Sequence, residues 1–295
     1  MNTQKCRICS SDNCHVIYDG PIRSGGVGSE FVDGYTYRRC EACTFVFIDP
    51  VPKDLDDYYE SERYRLQFHY GKEVEEMQAL YDQEQNVRVS RIGIENMRNK
   101  TVVDFGAGAG LFLDSIKGVA KKTVAVEPSG AYQEHLKARG HLSYRYADEL
   151  REASVIAEVA TSFDVIEHIY DVNQFVKGIY ETLADGGAFY VSMPQENDIV
   201  RLLCPDQYES FFYQTAHLNY FNAKTIEIVL MKARFQEIKI AYLHKYDMRN
   251  VVQWAQHGKP GESDAPMLDE HFHAIYRQEI ERLEIASHLF VIAIK

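Results

Sequence analysis

Long apolar runs are missing from this sequence. No stretch reaches the roughly 20 residues that a membrane-spanning helix needs, and residues 1–12 are polar, with no apolar segment of the kind a secretory signal carries. Clustered basic residues are missing too. Lys and Arg total 32 against 44 Asp and Glu, a formal net charge of -12, so nothing resembles the electrostatic footprint of a phosphate-backbone binder. Internal repeats and low-complexity tracts are also absent. Together these absences predict a cytoplasmic chain with no membrane insertion and no nucleic-acid partner.

What is present is ordinary globular usage, with 45% hydrophobic and 26% charged residues in a chain of 295, a length that suits one main domain and a small appendage. In a reducing compartment close cysteine pairs point to metal rather than to disulfides. Cys6-x2-Cys9 and Cys40-x2-Cys43, with 30 residues between the pairs, form two knuckle-type pairs that could close a tetrahedral zinc site; the bland alternative is four unrelated buried thiols. Four thiolates fill the metal's coordination, so the zinc is expected to be structural, and Cys14 and His15 are only alternative ligands.

Residues 1–52 therefore read as a zinc-binding module, ended by Asp49-Pro50-Val51-Pro52, and 53–98 as a helical connector with Tyr58, Tyr59, Tyr64, Val74, Met77, Leu80, Tyr81, Val87 and Ile92 spread among charges. Residues 99–295 read as the main domain. Apolar runs at 101–105, 123–127, 143–146, 155–165, 188–193, 237–243 and 288–294 predict strands, with helices at 111–117, 132–139, 172–184 and 225–233. Strands alternating with helices imply a parallel sheet wrapped by helices. Gly186-Gly187 is expected to break the chain before the fifth strand. Residues 195–222 form an aromatic, irregular insertion and 245–286 a helical one, in which Leu268, Phe272, Ile275 and Leu283 make a stripe suited to core packing or a homodimer face.

The first strand runs straight into Gly106-Ala107-Gly108-Ala109-Gly110 and then a helix, a turn that lets backbone approach a ligand at the sheet's C-terminal edge. Such a loop alone could be a plain tight turn. Glu127, about twenty residues on at the end of the second strand, is placed to accept hydrogen bonds from ribose hydroxyls. Leu111 stands where a nicotinamide fingerprint needs glycine or alanine, and the alternating glycines after Asp104 favour a cofactor without a phosphate.

These residues resemble the first motif of the class I S-adenosylmethionine-dependent methyltransferases. The segment from Val124 through Glu127 and Pro128 to Ser129 is similar to their second-strand motif, residues 160–171 to their fourth-strand motif ending in Glu167-His168, and Leu183-Ala184-Asp185-Gly186-Gly187 to the segment before strand five. The resemblance implies a Rossmann-like seven-stranded sheet with helices on both faces. It also implies that Asp104 and the backbone of Gly106, Gly108 and Gly110 hold the methionine part of the cofactor, Glu127 and its neighbour Pro128 the ribose side, Asp148 the adenine edge and Phe163 an adenine face. The leader from Cys40 to Pro52, followed by Asp57-Tyr58-Tyr59, resembles a zinc-ribbon group that includes deoxysugar C-methyltransferases and surface-polysaccharide enzymes. Those sugar C-methyltransferases continue into a further large domain, whereas this sequence stops at Lys295, which makes O-methylation at least an equal expectation.

Methyl transfer is a displacement at a sulfonium methyl, so the protein supplies alignment and, for a hydroxyl acceptor, a base. His168, just past the fourth strand, and His217, inside the aromatic insertion, are the candidate bases; each could equally fix local structure. Tyr208, Phe211, Phe212, Tyr213 and Tyr220 could stack on a sugar ring or simply pack. The expected activity is methylation of a small, sugar-linked acceptor in polysaccharide or natural-product biosynthesis. Base methylation of ribosomal RNA, and a non-catalytic protein that binds the cofactor and docks a partner through the zinc module, are the alternatives.

Overall fold

The computed structural model describes residues 5–53, 74–261 and 269–295, so Tyr58, Tyr59, Tyr64 and Leu268 lie outside the described residues. The seven predicted strands of the main domain all form one sheet. In chain order they are β6 (Thr101–Phe105), β7 (Lys122–Val126), β8 (Leu142–Tyr144), β9 (Ala157–Phe163), β10 (Leu183–Pro194), β12 (Glu237–Leu243) and β13 (His288–Ile294), arranged β12-β13-β10-β9-β6-β7-β8. The five strands from β10 to β8 are parallel, and β13 runs antiparallel to both its neighbours. The chain builds outward from β6 to β8 and then returns to lay β9 on the other side of β6. That reversal opens the C-terminal ends of β6 and β9 into a crevice, the place where ligands bind in such sheets.

Alternation along the strands splits the interior into two layers. Val103, Phe105, Val124, Val126 and Ala160 face one side and Val102, Ala125 and Val159 the other. The first layer is covered by α6 (Val172–Thr182), whose Val172, Val176 and Ile179 form a single apolar stripe and whose cap, Asp171, accepts from the Gln174 amide at 2.9 Å. The second is covered by α1 (Val74–Ile92), α2 (Ile94–Met97), α3 (Leu111–Ile116) and α4 (Gly130–Ala138). Gly186-Gly187 does not interrupt the fifth strand: β10 runs through the pair as a bulge, Leu183 facing Ala157 and Ala188 facing Val159, with Gly186 at φ 74°.

The N-terminal residues form β1 (Cys14–Tyr18), a short hairpin of β2 (Ile22–Arg23) and β3 (Phe31–Val32), β4 (Thr36–Cys40) and β5 (Val46–Asp49). A second sheet has the order β1-β4-β5-β11, where β11 (Asn219–Tyr220) comes from residues 195–222. That region is more regular than its sequence suggests, with α7 (Ile199–Leu203) and α8 (Pro205–Phe212) preceding β11. Its aromatic side chains are core: Tyr213 stacks on Tyr37 at 4.1 Å, Phe212 lies 4.5 Å from Tyr220, and Tyr208 and Phe211 each meet Trp254 edge-on. They pack on one another rather than presenting an open sugar-binding platform. Trp254 sits in α10 (Met248–His257), which with α11 (Glu270–Arg282) makes up the helical insertion. No helix among the described residues is long and apolar enough to cross a membrane.

Candidate active site

The β6-to-α3 turn places three glycines at positive φ. Gly106 needs to be glycine twice over, because a Cβ at its φ of 79° would also lie 2.4 Å from Val165. A Cβ on Gly108, at φ 52°, would meet nothing within 4 Å, so this stretch of backbone faces open space. Beside it, the two oxygens of Glu127 accept from the amides of Gly108 at 2.8 Å and Ser129 at 2.9 Å. Burial, followed by the charge of Asp104, raises the Glu127 pKa. Asp104 is itself buried, accepts from the Thr161 hydroxyl at 2.7 Å, and has its pKa pushed up by burial to about 6. Two desolvated carboxyls beside an open backbone cradle fit a cationic, hydroxyl-bearing ligand, which restores the charges that burial disfavours.

The other predicted positions fall into three places. Pro128 follows Glu127, and its carbonyl accepts from the Arg145 guanidinium at 3.1 and 3.2 Å. Phe163 closes β9, 7% exposed, packed edge-on to Phe112 at 5.0 Å beneath the Arg88 guanidinium at 4.9 Å. Asp148 stands apart in α5 (Ala147–Glu152), 75% exposed and ion-paired with Arg151, where it lines a groove of about 1070 Å³ with Arg7 and Tyr170.

Next to Phe163 is a residue that the sequence reading passed over. Asp164 holds a φ of 57°, uncommon for a residue with a side chain, at the very tip of β9. Its carboxylate meets Lys245 at 2.9 Å, Arg88 at 3.0 Å and His288 at 3.6 Å, and Lys245 also pairs with Glu84 at 2.9 Å. Burial alone would raise the Asp164 pKa, but Lys245, His288 and Arg88 outweigh it and hold the group ionised. The signal available in the sequence was topological: an antiparallel β13 brings the end of β12 and the start of β13 to the same edge as the tip of β9.

Just past that tip, His168 and His217 come together, ring centroids 4.9 Å apart and nearly perpendicular. His168 Nδ1 lies 2.7 Å from the Ala216 carbonyl, and His217 Nε2 lies 2.9 Å from the Gln214 side-chain amide. Burial lowers the His168 pKa to about 4, and burial with the neighbouring His168 lowers that of His217 further, so both rings are neutral at pH 7. Glu167, 1% exposed, shares the cluster, and burial raises its pKa well above the usual carboxylate range. The turn bearing Glu167 and His168 is pinned from β11: Asn219 Nδ2 donates to the carbonyls of Ile166, Glu167 and Ile169 at 3.3, 3.4 and 2.6 Å.

The depressed His168 pKa has a stability consequence with a definite sign. Between about 4 and 6.5 the unfolded chain takes up a proton at this residue and the folded chain does not, so its contribution is complete above 6.5 and is lost as pH falls toward 4. In denaturant titrations across that window, His168→Asn is expected to lose less stability on acidification than the parent; parallel profiles would show that His168 titrates normally.

The four thiols converge as well. Cys6 Sγ lies 3.5 Å from Cys43 Sγ and Cys9 Sγ 3.5 Å from Cys40 Sγ, with all four sulfurs within 4.8 Å of one another. A tetrahedral zinc with metal–sulfur bonds of ~2.3 Å needs sulfurs about 3.8 Å apart, so the donor set and its size fit the ion. Each knuckle closes the same way, Ser10 N donating to Cys6 O and Thr44 N to Cys40 O, with Ser10 and Thr44 both left-handed. Cys14, donating to the Ser11 carbonyl, and His15, paired with Glu41, lie outside the group of four.

A parallel sheet with a glycine cradle at its switch point, an acidic residue closing the second strand and an antiparallel last strand defines the Rossmann-like class I methyltransferase architecture. The sequence matches the family described as "Methyltransferase domain" over residues 75–239, more than half of its length, and the chain belongs to that family, whose methyl donor is S-adenosylmethionine. It is 25% identical over 236 residues to the C-methyltransferase NovU of Streptomyces niveus, covering 74% of this chain and 52% of that protein. It is 31% identical over 98 residues to a ubiquinone biosynthesis O-methyltransferase of Rhizobium etli, covering 31% of this chain and 40% of that one. The chain thus spans about half or less of these relatives' length. A SAM-dependent methyltransferase from Archaeoglobus fulgidus shares the fold with a TM-score of 0.50 at 16% identity, over 71% of this chain and 92% of that structure.

Proposed function

We propose that this chain transfers the methyl group of S-adenosylmethionine to a small, sugar-linked acceptor, at a hydroxyl or an acidic carbon that must shed a proton. One observation carries the reading. The cradle's Asp104 is hydrogen-bonded to Thr161 near the end of β9, and Glu167 and His168, with His217 against them, follow directly after that strand, which supports a donor methyl and an acceptor meeting at this edge of the sheet.

When bound, the donor supplies an electrophilic methyl on a sulfonium. Glu127 is placed to take ribose hydroxyls, and Asp104 to balance positive charge over the cradle. Asp164 and Glu84 with Arg88 and Lys245 offer two carboxylates and two cationic groups, of the kinds that complement an amino acid's ammonium and carboxylate. The neutral imidazoles of His168 and His217 are the groups able to act on the acceptor's proton. The names of the relatives include both C- and O-methyltransferases, and either acceptor needs such a group. The four-thiolate module is read as a structural zinc site, since its ligands leave the metal no open position.

The test is calorimetric binding of S-adenosylmethionine followed by a screen of sugar nucleotides for production of S-adenosylhomocysteine. Glu127→Ala is expected to weaken cofactor binding about 10–100-fold, the worth of ~1.5–3 kcal/mol in charge-assisted hydrogen bonds. Equal affinity in the variant would remove Glu127 from the cofactor site, and absence of binding by folded, metal-replete parent would overturn the reading.

A further inference from the structure

The acceptor side of the site holds more polar atoms than its own hydrogen bonds use. Glu167 Oε2, His217 Nδ1, Asn219 Oδ1 and Gln214 Oε1 are all buried without a hydrogen-bond partner. Glu167 and His217 belong to one cluster, and orphaned atoms on both are unusual in a folded interior, where buried polar groups find partners in protein or in a bound species.

Their chemistry says what species. The ligand atoms of Glu167, His168 and His217 lie within 4.8 Å of one another, a spread that one ion can draw together. Each imidazole is held from behind. His168 Nδ1 donates to the Ala216 carbonyl, which makes Nε2 the lone-pair nitrogen of that ring. His217 Nε2 meets the Gln214 amide, and turning that amide so that Oε1 accepts from Nε2–H satisfies the unpartnered oxygen and leaves Nδ1 as a lone pair. A backbone carbonyl or amide oxygen behind each ring is the outer-shell arrangement that fixes the tautomer of metal-ligating histidines.

We propose that Glu167, His168 and His217 form a binding site for one divalent cation, separate from the four-thiolate module. Two imidazoles and a carboxylate suit manganese, iron or zinc, and three protein ligands leave positions open on the ion; with both ring lone pairs committed to it, the ion would lower the pKa of a bound acceptor oxygen in place of a free imidazole base. Its place beside the tip of β9 rests on the methyltransferase reading, and it narrows the acceptor to compounds with two neighbouring oxygens, such as a vicinal diol, able to occupy adjacent open positions.

Mn²⁺ separates the two metal sites, because this hard ion prefers nitrogen and oxygen ligands and does not compete for thiolates. Zinc-loaded protein is titrated with Mn²⁺ alone while the electron paramagnetic resonance signal of the free ion is followed. The expected result is one Mn²⁺ held per chain, with affinity reduced about 10–100-fold in Glu167→Gln and in His217→Ala and unchanged in His15→Ala, an exposed histidine elsewhere. Calorimetric binding of S-adenosylmethionine by each variant shows that it is folded. Mn²⁺ that stays free, or is held equally by the parent and both folded variants, overturns the proposal and leaves water as the partner of these atoms. Methyl transfer by a chain that retains no Mn²⁺ would overturn the cation and spare the enzymatic reading; Mn²⁺ held through these residues in a chain without transfer would do the reverse.

Discussion

Stripping the metal from the four-thiolate module is expected to abolish methyl transfer while S-adenosylmethionine still binds. A closed zinc site of this kind contributes about 10–16 kcal/mol of apparent binding free energy, which in a small module is folding free energy. The module's fold matters at a distance because it holds the loop that carries His217. Arg7, inside the first knuckle, donates to the Leu218 carbonyl at 2.9 Å, and Ile48 N donates to that same oxygen at 3.1 Å. The Tyr37 hydroxyl sits 2.8 Å from the carbonyls of both Gln214 and His217. The glycine cradle and Glu127 are built from β6, β7 and the turns that follow them, and none of the hydrogen bonds given for them comes from the module. Turnover and calorimetric binding, measured on chelator-treated and zinc-restored protein, check this. Full turnover without metal would show that this loop stands unaided.

Replacing His217 is the second large effect expected. Loss of a group that serves the acceptor's proton, as a free base or as a ligand of the proposed cation, lowers turnover by about 10²–10⁴. His217→Ala is expected to fall in that range with cofactor affinity intact, since Glu127 and Asp104 are held by Gly108, Ser129 and Thr161 rather than by this ring. Its packing against His168 at 4.9 Å means that the alanine variant also leaves a gap, so His217→Asn is the companion that keeps a polar side chain there. If both variants turn over within a few-fold of the parent, the cluster does not act on the acceptor.

The central sheet was legible in the sequence because parallel strands buried on both faces are continuous apolar runs. Strands β6, β12 and β13 lie where those runs lie, and the other four begin or end within a few residues of theirs. The cradle was legible for a related reason: glycines before a helix report a backbone demand directly. What stayed hidden depends on pairing across long separations. Strand β1 carries Cys14 and His15, β4 carries Arg38 and Arg39, and neither shows an apolar alternation; β11 is two residues long and forms only because β5 offers it an edge. Asp164 was hidden for yet another reason. Its importance comes from Arg88, Lys245 and His288, three residues from three distant segments whose meeting only the topology reveals.

The pairing of β5 with β11 also sets an order of events during synthesis. Strand β5 ends at Asp49 and β11 begins at Asn219, so 169 residues lie between them. At about 5–20 residues per second, a ribosome needs roughly 10–30 s to make the missing partner. Throughout that interval the hydrogen-bonding edge of β5, carrying Val46, Phe47 and Ile48, is open on the nascent chain, the kind of edge that recruits other strands. Cys6, Cys9, Cys40 and Cys43 all precede β5, so the whole thiol set is made before that interval begins. Zinc captured early by these thiols would order β4 and β5 before their permanent neighbour arrives, and would then serve as guardian of an unfinished sheet.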